Sequence, residues 1–269
     1  MLECVVNISE GARLDVVSSL TDAAGAVLWD VHSDAHHNRS VFTLGGSSDD
    51  AVLAGAQALA SAAVALLDVR DHEGVHPRIG VVDVVPFVPL RASSMEAAVG
   101  LRDRFAAWMG DEVGVPCFLY GPPGPSAPTL PEVRRGAFTH RRPDVGPPLP
   151  HASAGACAVG ARDVLVAYNV WLADGVGVEA ARSAAAAVRS PHVVRALGLD
   201  VGGRAQVSCN LLAPEVVGPA EVFDAVSRLA PVAGGELVGL VPESVLRAVP
   251  AARWADLGLS DEQTIESRW

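Results

Sequence analysis

The strongest constraint on the fold is an alternation of short apolar runs with segments of helical spacing. Residues 2–8 form an apolar run, and the apolar residues of 13–24 then recur every three to four positions. Two further strand-like runs at 26–31 and 40–44 precede an alanine-rich helical segment at 51–69. This order predicts an α/β protein of α+β type, with mixed sheets and helices packed on them.

The later part of the chain continues the alternation after an irregular stretch. A helix at 93–109 and a strand at 115–120 lead into the Pro- and Gly-rich residues 121–150, which predict a long surface loop with one short helix near 130–135. A strand is expected at 163–172, followed by a hinge at 173–177. We therefore expect two α/β subdomains, 1–174 and 178–269. The second is expected to contain helices at 178–189 and 220–229, strands at 205–211 and 236–240, and a C-terminal helix.

Composition excludes several classes of function. The chain of 269 residues carries a net charge of −11, which argues against nucleic acid or anionic membranes as partners. All 20 basic residues are arginine, so no mechanism that requires a reactive lysine is open to the chain. The four cysteines show no paired metal-ligand spacing and no secreted disulfide pattern. With no signal-peptide pattern, and with 51–69 interpreted as a largely buried helix, we expect a cytoplasmic protein.

Polar side chains are concentrated in residues 70–78, a loop broken by Gly74 and Pro77. An apolar run from Ile79 to Val88 follows at once, with Asp83 in its middle. A polar loop attached to the start of a buried strand is a common way to hold reactive side chains on a rigid scaffold. Because a buried carboxylate needs a partner, Asp83 is expected to contact His76 or Arg78.

Residues 72–76, His-Glu-Gly-Val-His, match the H-E-x-x-H pattern of zinc hydrolases. That pattern binds a metal on a helix, where both histidines share one face. Gly74 weakens a helix, and Pro77 disfavours helical backbone at His76. No third ligand follows at the spacing that such enzymes use, since Ile79 and Val82 occupy those positions. A zinc hydrolase is therefore a remote alternative, and no metal is expected.

The same loop also has the pattern G-x-H-P-R-x-G. Together with ECVVNISEG (3–11), HNRSVFTLGG (37–46), VGARDVLVAYNVWL (159–172), QVSCNLL (206–212) and ELVGLVP (236–242), it resembles the formiminotransferase family. These blocks occur in the family order and cover nearly the whole chain. The resemblance implies two α/β subdomains with a folate groove between them, and it suggests a homodimer.

The activity implied by the resemblance is transfer of a formimino group from N-formiminoglutamate to N5 of tetrahydrofolate, the co-substrate. An amine leaves poorly unless it is protonated, and histidine is the side chain best suited to supply a proton near neutral pH. His76 matches the catalytic histidine of the family and is assigned general acid/base work. His72 has no such support and is interpreted as a surface histidine.

Substrate binding is expected to involve two arginines and the residues beside them. Arg39, next to Asn38, would bind a carboxylate, and Arg78 would either do the same or form a structural ion pair with Asp71 or Asp83. This chain has Asp30-Val31-His32 where family members have Asp-x-Asp. His32 cannot replace the missing negative charge, although Asp34 stands nearby. The departure leaves open a different formimino or formyl donor, such as formiminoglycine.

Folate binding is expected along one continuous stretch that resembles the folate-binding segment of the family. It consists of Gly160, Ala161, Arg162, Asp163, Val164, Leu165, Val166, Ala167, Tyr168 and Asn169. The aliphatic residues of this stretch are better explained as members of a core strand than as direct folate contacts. A non-catalytic folate-binding protein with the same fold is a further alternative. Family members carry a longer loop in the region of 191–204, where this chain is expected to have a short one.

Overall fold

The computed structural model describes residues 1–122 and 127–269, which form two compact units. The first unit runs from Met1 to Asp163 and the second from Val164 to Trp269. The division falls before the predicted hinge at 173–177, because the strand that precedes this hinge hydrogen-bonds to strands of the second unit. Each unit has a sheet with helices packed on it, which confirms the predicted α/β class.

The first unit contains a six-stranded sheet in the order β2-β3-β1-β4-β6-β5. Strands β4, β5 and β6 run parallel, and the other pairs are antiparallel, so the sheet is mixed. The strands are β1 (Leu2–Ile8), β2 (Leu28–Asp34), β3 (Arg39–Gly46), β4 (Val82–Pro89), β5 (Cys117–Tyr120) and β6 (Cys157–Ala161). The helices are α1 (Leu14–Ala24), α2 (Asp49–Leu66), α3 (Met95–Asp111) and α4 (Leu130–Gly136).

Alternation along these strands separates two cores. Side chains such as Cys4, Phe42 and Phe87 are fully buried with α1, α2 and α3. The side chains of Val84 and Phe118 point to the opposite face of the sheet, where they pack with Val133 of α4. Helix α4 therefore covers the opposite face of the sheet at β4, β5 and β6.

Helix starts follow their capping residues. The Ser48 hydroxyl accepts a hydrogen bond from the Ala51 amide (3.2 Å), and Ser94 caps α3 in the same way. In α4 the Thr129 amide donates to the Glu132 carboxylate (2.7 Å), which sets the first turn of a helix of only seven residues. The predicted short helix near 130–135 is thus confirmed, and its short length leaves Arg134 in its last turn.

Helix α2 is, within the part of the chain that the structure describes, the one helix long and apolar enough to cross a membrane. A third of its residues are buried, and these pack against the first core. The prediction of a largely buried helix was wrong in extent, because Ala51, Ala54, Ala58 and Ala65 face outward. Small alanine side chains raise the mean hydropathy without requiring burial.

The second unit contains an antiparallel sheet in the order β10-β7-β9-β8. Its strands are β7 (Val166–Leu172), β8 (Val194–Val201), β9 (Arg204–Leu211) and β10 (Val232–Val238), and its helices are α5 (Val178–Val188), α6 (Pro219–Ser227), α7 (Glu243–Arg247) and α8 (Trp254–Leu257). The side chains of Tyr168, Val207 and Leu211 lie at the centre of a separate core. The end of the chain forms two short helices and 3-10 turns, so the prediction of one C-terminal helix was wrong.

Two strands escaped the sequence prediction because they are rich in small residues. In β6 a Cβ at Gly160 would lie 2.2 Å from the ring of Tyr120, so glycine is needed for that ring to lie across the strand. In β8 a Cβ at Gly198 would lie 2.2 Å from the Arg182 amide of α5. The expected short loop in this region is largely strand, closed by a two-residue turn whose φ values are 61° at Gly202 and 85° at Gly203.

Candidate active site

Three segments of the first unit meet at Asn38. Its side-chain oxygen accepts from the Gly11 amide (3.0 Å), its side-chain nitrogen donates to the Glu73 carbonyl (2.8 Å), and its own carbonyl accepts from His72 Nε2 (2.8 Å). Its φ of 46° is a left-handed conformation that asparagine tolerates better than most residues. Asn38 therefore ties the β2–β3 turn to the end of β1 and to residues 72–78, which we call the site loop.

Close backbone approach at this junction leaves room only for glycine at two positions. A Cβ at Gly74 would lie 2.5 Å from the His37 carbonyl oxygen, and one at Gly11 would lie 2.4 Å from the Asp34 carbonyl oxygen. Any other residue at these two positions would push the segments apart. The glycines that break the polar loops are therefore packing requirements as well as turn formers.

His76 lies at the centre of the predicted residues, with both ring nitrogens engaged. Nδ1 contacts the Pro77 carbonyl oxygen (2.8 Å), and Nε2 contacts Nη1 of Arg39 in a short hydrogen bond. A guanidinium can only donate, so Nε2 accepts and the proton of the neutral ring lies on Nδ1. Burial, followed by the charges of Arg39 and Arg134, holds the pKa of His76 well below its usual value. The resting imidazole is neutral.

Arg39, the first residue of β3, lies beside His76, a contact that the sequence did not predict. Burial lowers its pKa to about 10, against the effect of the Asp83 carboxylate, so it remains a cation at neutral pH. Its Nε is buried and has no hydrogen-bond partner among the described residues. A desolvated guanidinium with unused donors is suited to receive a carboxylate.

Asp83 of β4 pairs with Arg134 of α4, not with His76 or Arg78 as predicted. The side chain of Asp83 is 2% exposed; one oxygen binds Arg134 Nη2 and the other accepts from the Ile79 amide (2.8 Å). The pairing has a physical reason: the β1–β4 register shifts at Asp83, and α4, which packs against Val84, brings Arg134 to that carboxylate. The same carboxylate thus anchors a second arginine and the end of the site loop.

Arg78 is used to brace its own loop. Its Nη2 donates to the carbonyl oxygens of Gly74 (2.8 Å) and His76 (2.7 Å). Arg78 forms neither predicted ion pair, with Asp71 or with Asp83, because its guanidinium is hydrogen-bonded to these two carbonyl groups. Burial lowers the pKa of Arg78, and the Asp83 charge opposes that shift.

His32 lies in β2 opposite Val41 of β3, and Asp34 lies opposite Arg39. Directly opposed residues share a sheet face, so His32 stands on the face from which Arg39 projects. Strand β2 includes His32 and ends at Asp34, three residues beyond the predicted strand-like run at 26–31. Asp34 also caps the following turn, since its Oδ1 accepts from the amides of His36 (2.8 Å) and His37 (2.7 Å).

Residues 72–76 do not have the geometry of a zinc hydrolase. A 3-10 turn ends at Asp71, and the two histidines that follow lie in non-helical backbone, with one ring bound to Asn38 and the other to Arg39. In the described part of the chain no group of three or more His, Cys, Asp or Glu is placed to hold a metal ion. Residues 72–76 therefore match the H-E-x-x-H pattern in sequence but not in the helical backbone that the pattern requires.

A cavity of about 600 Å³ lies beside the junction and is lined by residues that include Ser9, Glu10, Asn38 and His72. Although burial opposes ionisation, hydrogen bonds from Arg13 and Ala12 lower the pKa of Glu10. His72 is partly buried here, and that burial lowers its pKa. The interpretation of His72 as a surface histidine was wrong, since its ring binds the Asn38 carbonyl beneath the loop.

The stretch predicted to bind folate spans the end of β6 and the start of β7. Gly160 and Ala161 are buried in the first unit, and Arg162 donates to the Asp163 carbonyl (2.9 Å). Val166 and Tyr168 point into the second core, where the Tyr168 hydroxyl donates to the Leu257 carbonyl (2.7 Å). Folate contact along this stretch stays a prediction, and of the β7 side chains it concerns those of Ala167 and Asn169.

Asn169 belongs to a polar group on the other face of the second sheet. Its Nδ2 donates to Glu236 Oε2 (3.1 Å), and Trp171 Nε1 donates to the same oxygen (3.0 Å). Arg204 lies over the Trp171 ring at 4.8 Å. Glu236 and Trp171 were missed as candidates, although both stand in blocks that carried the resemblance.

Two residues beside His76 were also missed as candidates. Arg134 lies in the predicted short helix near 130–135, and the signal for its role was Asp83, a buried carboxylate without a cation in its own strand. His37 is 7% exposed, with its ring centroid 6.2 Å from that of His76. Its sequence position, one residue from Asn38, gave no sign of burial.

The fold and this site define an α/β protein that holds a neutral histidine among arginines, an arrangement suited to proton transfer on a small anionic molecule.

Comparison with known proteins agrees with the family resemblance found in the sequence. Residues 1–162 match the formiminotransferase domain, N-terminal subdomain. The chain is 37% identical to formimidoyltransferase-cyclodeaminase of Sus scrofa, with 91% of the chain aligned, and it spans about half (51%) of that longer relative.

Shorter relatives are covered almost completely. Glutamate formimidoyltransferase of Streptococcus pyogenes serotype M1 is 35% identical, with 91% of this chain and 90% of the relative aligned. The protein of the same name from Thermoplasma acidophilum is 34% identical, with 100% and 96% aligned. The chain therefore belongs to the formiminotransferase family.

Proposed function

We propose that this protein transfers the formimino group of N-formiminoglutamate to N5 of tetrahydrofolate, giving 5-formiminotetrahydrofolate and glutamate. The observation that carries the proposal is the neutral His76 held by Arg39, in a chain aligned over nearly its whole length with enzymes named glutamate formimidoyltransferase. The reaction is a transfer between two nitrogen atoms. It needs a group that removes a proton from one and supplies a proton to the other.

A neutral imidazole can do both in sequence. N5 of the folate attacks the formimino carbon, and a tetrahedral intermediate forms as His76 takes the N5 proton. The carbon–nitrogen bond to glutamate then breaks, and the same proton passes from His76 to the leaving nitrogen. Protons and charge balance over the two steps. His76, which the sequence predicts to be a general acid/base, therefore acts first as a general base and then as a general acid.

Recognition of the two substrates is assigned to different groups. Arg39 offers its guanidinium to a carboxylate of formiminoglutamate. The polar face around Asn169 and Glu236 offers both donors and acceptors, which suits the heteroaromatic edge of a pterin. The stretch 160–169 keeps its predicted part in holding folate, and the proposed reaction uses no metal.

The test is direct. Purified protein is incubated with tetrahydrofolate and formiminoglutamate, the mixture is acidified, and the absorbance of methenyltetrahydrofolate is measured. His76→Ala is expected to lower the rate by about 10²- to 10⁴-fold, the usual contribution of a positioned acid/base group. His140→Ala removes an exposed histidine near the end of α4 and serves as the matched control. Equal rates in wild type and His76→Ala would refute the assigned chemistry.

One observation favours a second candidate, the same chemistry on a different formimino or formyl donor. His32 stands on the sheet face of Arg39 at the position where the family has an acid. If wild type binds tetrahydrofolate but does not use formiminoglutamate, His32→Asp is expected to restore turnover. Failure of that variant, with activity on formiminoglycine, would establish the altered donor.

A further inference from the structure

The charges around His76 are unbalanced. Arg39 from β3, Arg78 from the site loop and Arg134 from α4 act on one another and on a single carboxylate, Asp83. Of these groups Arg39 and Arg134 bear directly on the imidazole, together with the ring of His37 and the Pro77 carbonyl. Asp34, opposite Arg39 in the β2–β3 pair, adds a second carboxylate, and three guanidiniums against two carboxylates still leave an excess of positive charge at a partly buried site. Such an excess is relieved by an anion.

The hydrogen bonds around His76 show that the resting site is closed to proton transfer. Nδ1 is held by the carbonyl oxygen of the next residue, Pro77, and Nε2 is held by Arg39. The contact to Pro77 is part of the loop backbone, whereas the contact to Arg39 is between side chains. Nε2 is therefore the nitrogen that can be released, by a movement of the Arg39 guanidinium alone.

A carboxylate is the ligand that would cause this movement. It binds a guanidinium in two parallel charge-assisted hydrogen bonds, which are about twice as strong as bonds between neutral groups. Arg39 has its Nε unused and buried, and so does Arg134, which Asp83 holds in place by its Nη2. A carboxylate placed between them would satisfy donors that have no partner among the described residues.

We propose that Arg39 and Arg134 form a subsite for one carboxylate of a dicarboxylic amino-acid substrate, and that this carboxylate draws Arg39 away from His76 so that Nε2 can accept a proton. This rests on the proposed function, because it takes formiminoglutamate to be the anionic substrate. Arg39 and Arg134 then both contact the substrate carboxylate, and Asp83 holds Arg134 in place for that contact. The added negative charge stabilises the imidazolium that forms when His76 takes the N5 proton.

Linkage gives the sign of the pH dependence. The carboxylate raises the pKa of His76 from its low resting value, so binding takes up a proton. Affinity for the carboxylate therefore increases as pH falls from the bound-state pKa to the free-state pKa, and it levels off outside that window.

The experiment uses histidine-labelled full-length protein and follows the imidazole signals by NMR during pH titration, with His76→Gln to assign the signal. Glutarate is the probe, and its diamide, glutaramide, is the neutral control. Saturating glutarate is expected to raise the pKa of His76 by at least one unit, a tenfold change in proton affinity. Glutaramide is expected to leave it unchanged.

Two variants localise the effect. In Arg39→Gln the pKa of His76 is expected to be higher without ligand, and glutarate is expected to add no further shift. Arg134→Lys is expected to weaken glutarate binding at least tenfold, while Arg135→Gln, an exposed neighbour on α4, is not. Because the wild-type titration is decisive by itself, a variant that fails to fold does not remove the test.

Several results would overturn the inference. They are a His76 pKa that glutarate does not move, an absence of glutarate binding, or an equal shift in Arg39→Gln. None of these measurements uses folate or turnover. An active transferase whose His76 does not respond to glutarate would refute this subsite and leave the proposed function standing, and a responsive His76 without turnover would do the reverse.

Discussion

At the scale of single residues, partners decide what a side chain can do. His76 is the residue that the G-x-H-P-R pattern indicates. Its neutral state, however, follows from burial and from two distant cations: Arg39, which lies 37 residues before it, and Arg134, which lies on helix α4. Arg78, two residues away from His76, instead donates its hydrogen bonds to carbonyl groups of its own loop. Neighbours in sequence are thus a poor guide to the electrostatics of the imidazole.

The buried pair of Asp83 and Arg134 supplies a prediction at this scale. Asp83→Asn should lower the free energy of unfolding by about 3 kcal/mol, because Arg134 is left as an uncompensated, largely buried charge. Urea denaturation followed by circular dichroism measures the change. The double variant Asp83→Asn/Arg134→Met should recover most of the loss, since it removes the stranded charge. A single variant as stable as wild type would show that the pair is not coupled to folding.

At the scale of elements, short connections position the site more than long helices do. The site loop is held by Asn38 from the β2–β3 turn, by the Asp83 carboxylate on the Ile79 amide, and by the packing of Gly74 against the His37 carbonyl. Helix α4 is only seven residues long, but its last turn carries Arg134 to β4. These contacts fix His76 without a regular element of its own.

The packing of Gly74 gives the prediction for this scale. Gly74→Ala puts a methyl group 2.5 Å from the His37 carbonyl oxygen, so the loop must shift and the Arg39–His76 contact must lengthen. We expect a loss of at least tenfold in kcat, since misplacement of about 1 Å can cost about 10²-fold. Circular dichroism should be unchanged.

Gly100→Ala is the matched control, because a Cβ at this exposed position of α3 meets nothing within 4 Å. It should raise the stability of the helix by up to about 1 kcal/mol and leave kcat unchanged. Equal activity in both variants would mean that the loop tolerates the shift.

At the scale of the whole molecule, the chain builds two units with separate cores. Val164–Trp269 encloses Tyr168, Val207 and Leu211 within its own four strands and helices. The Tyr168 hydroxyl is satisfied inside that unit by the Leu257 carbonyl. The second unit therefore contains what a domain of about a hundred residues needs to fold.

We accordingly expect the isolated segment 164–269 to fold. It should give a dispersed amide NMR spectrum and one cooperative urea transition. Tyr168→Phe should lower its stability by about 1 kcal/mol through loss of one hydrogen bond, whereas Tyr168→Ala should cost at least about 3 kcal/mol through the cavity. A collapsed spectrum from the unmodified segment would show that its core is insufficient.

Much of the layout was accessible from sequence because local patterns carry it. Strand β1 was predicted at its observed bounds, and most of the other elements within a few residues, since apolar periodicity and capping residues are local signals. The small-residue strands β6 and β8 were not, because their glycines are selected by close approach to Tyr120 and to α5. That approach exists only after folding.

By itself, the sequence determined the α/β class, the resemblance to the formiminotransferase family and the choice of His76, Arg39 and Asn38. These follow from residue types at fixed local spacings. The tertiary structure alone decided that Asp83 pairs with Arg134, that Arg39 donates to His76, and that the imidazole is neutral. The physical reason is that hydrogen bonds and Coulomb interactions depend on distance and burial, which arise between residues far apart in the chain.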